Sequence, residues 1–282
     1  MKISVAIPCY NGEAYISRAI DAILAQTQPA HEIIVIDDGS TDQSAMIIKA
    51  CPVTLIQHPS NLGLAAARNT AMLAASGEVL LFVDADAFAA PDVIELLSAA
   101  YEQGDGCLGG VGGQGIESNI QSLADRWRRA HASQGHGAER KYVPYLFGLC
   151  MSYRLTALRQ IGGFSTGFRT NGEDMDAGIR MNAAGFRLLY LPEVQVFHQR
   201  SDNLASLKRT MAAWYSAAYR AKRRNQARPW TLFVGTLRRM ITDPIKDAVV
   251  KRDLALAQLS FVLCGVKLKA LWQAAQTYKG TL

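Results

Sequence analysis

Between Lys2 and Gly104 the chain alternates four times between a short apolar run and a longer stretch with apolar residues at helical spacing. The runs are KISVAIPCY, EIIVIDDGS, VTLIQHP and EVLLFVDAD. The stretches that follow them are YISRAIDAILAQT, TDQSAMIIKA, LGLAAARNTAMLAAS and APDVIELLSAAYEQG. Ile16, Ile20, Ile23 and Leu24 fall on one helical face. Pro91 opens and Gly104 closes the fourth predicted helix, and Ser40 or Thr41 is expected to cap the second. Alternation of this kind predicts an α/β fold, a mostly parallel sheet with helices on both faces. Strands covered on both faces have no polar side, so their apolar runs are continuous.

The middle of the chain is less regular. CLGGVGGQGI is a candidate strand, SLADRWRRAHAS a helix and VPYLFGLCMSYR a buried strand. GEDMDAGIRMNAAGF is expected to be helical from about Gly172, and RLLYLPEVQVFH a last strand pair or a strand interrupted at Pro192. After His198 the chain turns basic, aromatic and helical, which puts a domain boundary near residue 200. The 282 residues, 49% of them hydrophobic, suffice for one large core and an appendage.

Five scattered cysteines without a CxxC pair argue against a disulfide framework or a zinc site, and suit a reducing compartment. The apolar run at the N-terminus is too short for a signal peptide. Leu254–Val266 falls short of the roughly 18 residues of a spanning helix, so no transmembrane segment is expected. A net charge of +6 and a pI near 9.1 suit an acidic small molecule, a membrane surface or nucleic acid, without choosing among them.

Ligands of open α/β sheets bind beyond the carboxyl ends of the strands. Here those ends carry Pro8, Tyr10 and Asn11, then Asp37 and Asp38, then Asp84 and Asp86. Aspartate at such a place can simply cap the next helix. Two carboxylates one residue apart exceed what one cap needs, and they repel unless something positive lies between them. A hard cation such as Mg²⁺ or Mn²⁺, bridging a carboxylate to phosphate oxygens, would answer that need. Glu173, Asp174 and Asp176 crowd one helix start, where the dipole favours acids and where one of them could serve as a general base. His198 ends the last strand and is a candidate metal ligand.

Four blocks in order, VAIPCYNGEAYISRAIDAILAQT, EIIVIDDGSTDQS, NLGLAAARNTAMLAASGEVLLFVDADA and GGFSTGFRTNGEDMDAGIRMNAAGFRLLYLPEVQVFH, resemble the family 2 glycosyltransferases. The resemblance covers roughly residues 1–200. It implies a GT-A fold, with 1–200 as the nucleotide-sugar-binding and catalytic domain and 201–282 as a basic, amphipathic helical extension. It further implies inverting transfer of a sugar from a nucleotide-diphosphate donor, usually a UDP-sugar, with Mn²⁺ or Mg²⁺ as cofactor. By the same resemblance Pro8, Tyr10 and Glu13 would line the base, Asp38 would read the uracil edge, and Arg68 would lie near the nucleotide. Asp84 would touch the ribose and Asp86 the metal, joined by His198. Asp174, beside Glu173, would be the catalytic base. The Gln-x-x-Arg-Trp motif of processive members is missing; Arg126–Trp127 lacks the spacing, so single-sugar addition is expected.

GVGGQG has the letters of a dinucleotide fingerprint without its flanking elements, and is expected to be an acceptor-side loop or a bend. The basic run AYRAKRRNQAR suits nucleic acid, a solvated face or, with Trp214, Tyr215, Tyr219 and Trp230, an anionic membrane surface. Core packing or dimer contact are equal alternatives for this tail. The expectation is therefore a non-processive, hexosyltransferase-type enzyme that is cytoplasmic and peripheral on the inner membrane face. Its partners would be a nucleotide sugar and a glycan or lipid-linked acceptor, without nucleic acid. A nucleotidyltransferase, or a non-catalytic binder of sugar nucleotides or nucleic acid, are the alternatives.

Overall fold

The computed structural model describes residues 1–279, with side chains to Thr277. The last residues of the expected extension, 280–282, lie outside the described residues. The chain divides into two compact units, one of residues 1–118 and 134–199, the other of 119–133 and 200–282.

The first unit begins as the periodicity dictates: β1 (Ile3–Cys9), α1 (Ile16–Leu24), β2 (Glu32–Asp37), α2 (Ser44–Lys49), β3 (Thr54–Gln57), α3 (Leu64–Ala74) and β4 (Val79–Val83). It continues with β5 (Ala87–Ala89), α4 (Val93–Gln103), β6 (Leu108–Glu117), β7 (Lys141–Tyr142), β8 (Cys150–Arg154), α6 (Leu155–Gln160), α7 (Glu173–Ala183) and β9 (Arg187–His198). One mixed sheet runs β3-β2-β1-β4-β8-β6-β9-β5, with β7 on β9. The pairs β3·β2, β2·β1 and β1·β4 are parallel; β8 is antiparallel to β4 and β6, while β6 and β9 are parallel.

Two cores follow from the two-residue repeat of a strand. Ile3, Val5 and Ile7 of β1, with Val79, Leu81 and Val83 of β4, face Ile16, Ile20 and Ile23 of α1 and Val93 and Leu97 of α4. Ala6, Leu80 and Phe82 face the other way, toward Ala65, Ala67 and Ala71 of α3, Leu158 of α6 and Met181 of α7. Both parities are apolar, so neither face of the sheet can be left to water.

Several expected elements differ in the structure. The second helix is only Ser44–Lys49 and has no side-chain cap. Ser40 and Thr41 instead bind Asn11: Asn11 N donates to Ser40 Oγ at 2.9 Å, and Thr41 N donates to Asn11 Oδ1 at 2.8 Å. These bonds tie the loop to the tip of β1 before a helix can start. Only Cys150–Arg154 of the VPYLFGLCMSYR run is strand. β9 runs as one strand of twelve residues, and its ladder with β6 is interrupted around Pro192, where the register jumps from Gly112 opposite Tyr190 to Gln114 opposite Gln195. GVGGQG is neither loop nor bend but the body of β6. Its glycines allow close approach, since a Cβ on Gly113 would collide with the Val194 carbonyl.

The second unit is helical: α5 (Leu123–His131), α8 (Leu204–Arg224), α9 (Trp230–Ile245), a π-turn (Lys246–Val250) and α10 (Leu254–Lys279). The segment 119–133, expected within 1–200, clusters here because the apolar face of α5 finds its partners here. Ala124 and Trp127 pack on Leu207, Met211, Leu256, Leu259 and Leu263. The expectation of no span-length apolar helix needs correction. Leu254–Thr277 is long and apolar enough to cross a membrane by length and composition, with a mean hydropathy of 1.6 over an 18-residue stretch. Part of this helix is interior to the unit: Leu263 and Leu271 are fully buried, and Lys267 is buried over the Trp127 and Tyr215 rings at 4.6 and 5.2 Å.

Candidate active site

The site is assembled where β1, β2 and β4 end. At β1, Pro8 pairs with Ile36 of β2, two residues past the last β1–β4 pair, Ala6 with Phe82. A proline is tolerated there because the ladder on one side has already ended. Tyr10, just beyond, is half exposed. Glu13 is exposed, and its carboxylate accepts from Gln43 N at 2.9 Å, pinning the β1 loop to the start of α2.

Asp38 follows β2 and is buried. Its oxygens accept from Leu62 N at 2.9 Å and Gly63 N at 2.8 Å, and one lies 2.6 Å from His58 Nδ1. Asp38 thus holds the N-terminal approach to α3, where Gly63 at φ +98° admits a backbone that a side chain would strain. Asp37 accepts from Ser40 N and Gln57 Nε2.

Arg68, one turn into α3, is almost wholly buried. It donates to Glu173 Oε1 at 2.5 Å, to Asp84 Oδ1 at 3.0 Å and to the Gly148 carbonyl at 3.0 Å. With the guanidinium closed off from solvent, any effect on a nucleotide must pass through these carboxylates. Arg68 Nε and Glu173 Oε2 are buried without a hydrogen-bond partner. Unpaired buried polar atoms cost about 1–3 kcal/mol each, and they concentrate where structure is held for function.

The three acids at the start of α7 have separate tasks. Asp176 is buried and binds Arg180 one turn on, at 2.8 Å. Glu173 is locked to Arg68. Asp174 is only part-buried: Oδ2 accepts from Gly148 N at 3.1 Å and Oδ1 from Met175 N at 2.7 Å. Gly178 lets α7 approach the 144–148 loop, since a Cβ there would lie 2.5 Å from Tyr145 Cα. That approach brings Gly148 to Asp174, so one chain of bonds runs from Asp174 through Gly148 and Arg68 to Asp84.

Beside it, register alone builds a second cluster. Ala87 of β5 and Glu117 of β6 both pair with His198 of β9. His198 Nε2 therefore lies 3.2 Å from Asp86 Oδ2, and Nδ1 lies 3.1 Å from both oxygens of Glu117. Sequence reasoning missed Glu117. Its signal, a carboxylate ending an apolar run, is the one used for the other strand tips.

Electrostatics marks the same residues. Burial pushes Asp84 up to about 6, against the pull of Arg68, with the Asp86 charge adding to the rise. Burial raises Glu173 to about 7, again opposed by Arg68 and reinforced by Asp174. Burial also lifts Asp174 above its ordinary value, while Arg68 and the backbone N–H bonds pull the other way. For His198 burial works downward but loses to the hydrogen bonds and charges of Asp86 and Glu117, which raise it to about 9.

The fit to a divalent cation can be judged from these contacts. Asp86 Oδ2 and His198 Nε2 converge on one point, and Glu117 orients the ring from behind, as carboxylates do for metal-bound histidines. Among the described residues no group of three or more His, Cys, Asp and Glu side chains is placed to hold a metal. The chain offers two ligands, which suits Mg²⁺ or Mn²⁺ completed by phosphate oxygens and water. The residues fit such an ion.

An N-acetylglucosaminyltransferase of Rhizobium sp. (strain N33) is 29% identical over 77% of this chain and 53% of its own length. The matches cover between 14% and 57% of the length of the curated relatives. The structure resembles the mannosyltransferase PcManGT from Pyrobaculum calidifontis, solved with GDP-Man and Mn²⁺, with a TM-score of 0.60 at 20% identity over 99% of this chain and 79% of that one. It also resembles S. aureus TarS 1-349 in complex with UDP, with a TM-score of 0.55 at 17% identity over 100% of this chain and 92% of that one. The fold is GT-A with a helical extension. The model of the family "Glycosyl transferase family 2" matches residues 4–162, more than half of the sequence, and the chain belongs to that family.

Proposed function

We propose that the protein transfers a sugar, with inversion, from a nucleotide-diphosphate donor to a hydroxyl of a glycan or lipid-linked acceptor, one sugar at a time. The observation that carries the reading is the separation of roles among the acids. Glu173 and Asp176 are consumed by arginines, while Asp174 keeps a part-exposed carboxylate with a raised pKa. A hydroxyl needs its proton removed as it attacks, and a carboxylate poised above its usual range does this best near neutral pH. In the proposed step the acceptor oxygen bonds to the anomeric carbon from the face opposite the diphosphate. The bond to the phosphate oxygen breaks with its electron pair leaving on the nucleoside diphosphate, and the proton passes to Asp174. No carboxylate nucleophile is needed for a single displacement.

Asp86 and His198 would hold a divalent cation, Mn²⁺ or Mg²⁺, which would offset the charge of the departing diphosphate. Asp84, kept in place by Arg68, is assigned to the ribose hydroxyls. Pro8, half-exposed Tyr10 and Glu13 are assigned to the base, with Asp38 fixing the loop that completes that wall. A UDP-sugar is the proposed donor. PcManGT was solved with GDP-Man and TarS with UDP, so both bases belong in the test. The reducing, cytoplasmic setting proposed rests on five cysteines that are all free.

The test is a screen of UDP-, GDP- and dTDP-sugars with and without Mn²⁺, reading release of nucleoside diphosphate, beside a screen of nucleoside triphosphates with sugar 1-phosphates, reading release of pyrophosphate. Metal-dependent release of nucleoside diphosphate in the first screen is expected. Pyrophosphate release in the second would assign a nucleotidyltransferase, and tight binding without turnover in either a sugar-nucleotide binder.

A further inference from the structure

We propose that α9 docks the protein on an anionic lipid leaflet. The exposed apolar residues of this helix, Trp230, Val234, Leu237, Ile241 and Ile245, are spaced i, i+4, i+7, i+11 and i+15. Each is between 52% and 65% exposed. On helical geometry they form one stripe about 80° wide. The helix is already anchored by another face: Thr236 is buried, and Leu232 and Phe233 pack against the cluster of Tyr219, Leu271 and Ala274. A helix with one apolar face would spend it on the core, so the second stripe requires its own partner. Exposed apolar residues continue beyond α9 with Val249, Val250 and Leu254, each at least 70% exposed.

Charge selects the partner. Next to the stripe on the helical wheel a groove of about 490 Å³ is lined by Gly235, Arg238, Arg239, Thr242, Asp243 and Lys246, three cations against one acid. Residues 200–282 carry sixteen Lys and Arg against four Asp and no Glu. A second copy of this chain would bring the same positive charge against itself. A nucleic acid would take the cations but has no use for Trp230, Ile241 and Ile245 on the surface. A leaflet with anionic headgroups satisfies both halves, the stripe among the upper acyl chains and the arginines at the phosphates. Trp230, apolar in body with one N–H donor, suits the boundary between the two.

The experiment is flotation of the full chain with vesicles of phosphatidylcholine alone or mixed with phosphatidylglycerol, at low and high salt. It compares the wild type, the apolar variant Leu237→Ser with Ile241→Ser, and the charge variant Arg238→Gln with Lys246→Gln. All four side chains are exposed, and thermal unfolding checks that each variant is folded. The expected result is salt-sensitive binding to the anionic vesicles only, weakened at least about tenfold in the apolar variant and more modestly in the charge variant. Trp230 fluorescence should be quenched by brominated lipid. Absence of wild-type binding, or binding untouched by Leu237→Ser with Ile241→Ser, overturns the proposal. So does a change of oligomeric state in that variant by sedimentation, which would assign the stripe to a second copy. The inference does not rest on the catalytic reading, because vesicle binding needs neither donor nor acceptor.

Discussion

Arg68 and Asp84, sixteen residues apart on α3 and at the tip of β4, are joined by a 3.0 Å ion pair, and the same guanidinium nitrogen holds the Gly148 carbonyl. The site is therefore organised around a buried cation of the protein's own. One acid of the Asp-x-Asp segment leans on Arg68 and the other on His198. This division answers how two carboxylates so close in sequence can coexist.

Removing the arginine should be costly. Arg68→Met leaves Glu173 buried and unpaired, and breaking such a pair costs about 3–5 kcal/mol. Urea unfolding should show this loss, with a substantial part recovered in Arg68→Met with Glu173→Gln. Equal destabilisation by the single and double variants would mean the pair does not couple.

Asp174→Asn keeps the shape of the side chain and one acceptor oxygen for Gly148 N, at the loss of the bond from Met175 N, and it cannot accept a proton. Transfer should fall by about 10²–10⁴-fold, while calorimetry should find nucleoside diphosphate bound as in the wild type. Parallel loss of both would move the base elsewhere.

The raised pKa of Asp174 sets the direction of the pH profile. A base works only when deprotonated, so kcat/KM should fall as pH drops through the raised value. The acid limb should then lie above the ordinary carboxylate range of about 3.9–4.3. An acid limb at or below the ordinary carboxylate range would contradict the assignment. Glu173 supplies a stability counterpart. Its folded pKa of about 7 exceeds the ordinary 4.5, so the folded state binds the proton more tightly. Its contribution is complete below pH 4.5 and is lost as pH rises toward and through 7. Glu173→Gln should flatten that slope in thermal melts.

Gly113→Ala tests the packing of β6. The added methyl would meet the Val194 carbonyl and side chain, and forcing it in should cost about 1–3 kcal/mol. A melting temperature equal to the wild type would show that β6 and β9 can separate freely.

The strands β1, β2 and β4 were legible because burial on both faces leaves no ambiguity in an apolar run. The acids at their tips were legible because polar residues ending such runs stand out. The cluster around His198 was only half readable. Glu117 lies 81 residues from His198, and the pairing of β6, β9 and β5 that joins them is set by register, which local pattern does not carry. The burial of Arg68 was hidden for the same reason, since its partners come from β4, α7 and the loop at Gly148. The full length of α10 was masked by Lys267, which ends the apolar run after Val266, while Ser260 sits within it. Tertiary partners make them acceptable: Ser260 accepts from Trp127 Nε1 and donates to Asp247, and Lys267 lies over aromatic rings.

The central claim is that Asp86 and His198 grip a cation on the donor diphosphate while Asp174 acts separately on the acceptor. The most direct measurement is calorimetric titration of UDP, and of GDP, into wild type, Asp86→Ala, His198→Ala and Asp174→Asn, with and without Mn²⁺. The account predicts that Mn²⁺ tightens nucleotide binding in the wild type and in Asp174→Asn, and that this gain disappears in Asp86→Ala and shrinks in His198→Ala. A gain from Mn²⁺ that survives in Asp86→Ala, or that vanishes with Asp174→Asn, would contradict it.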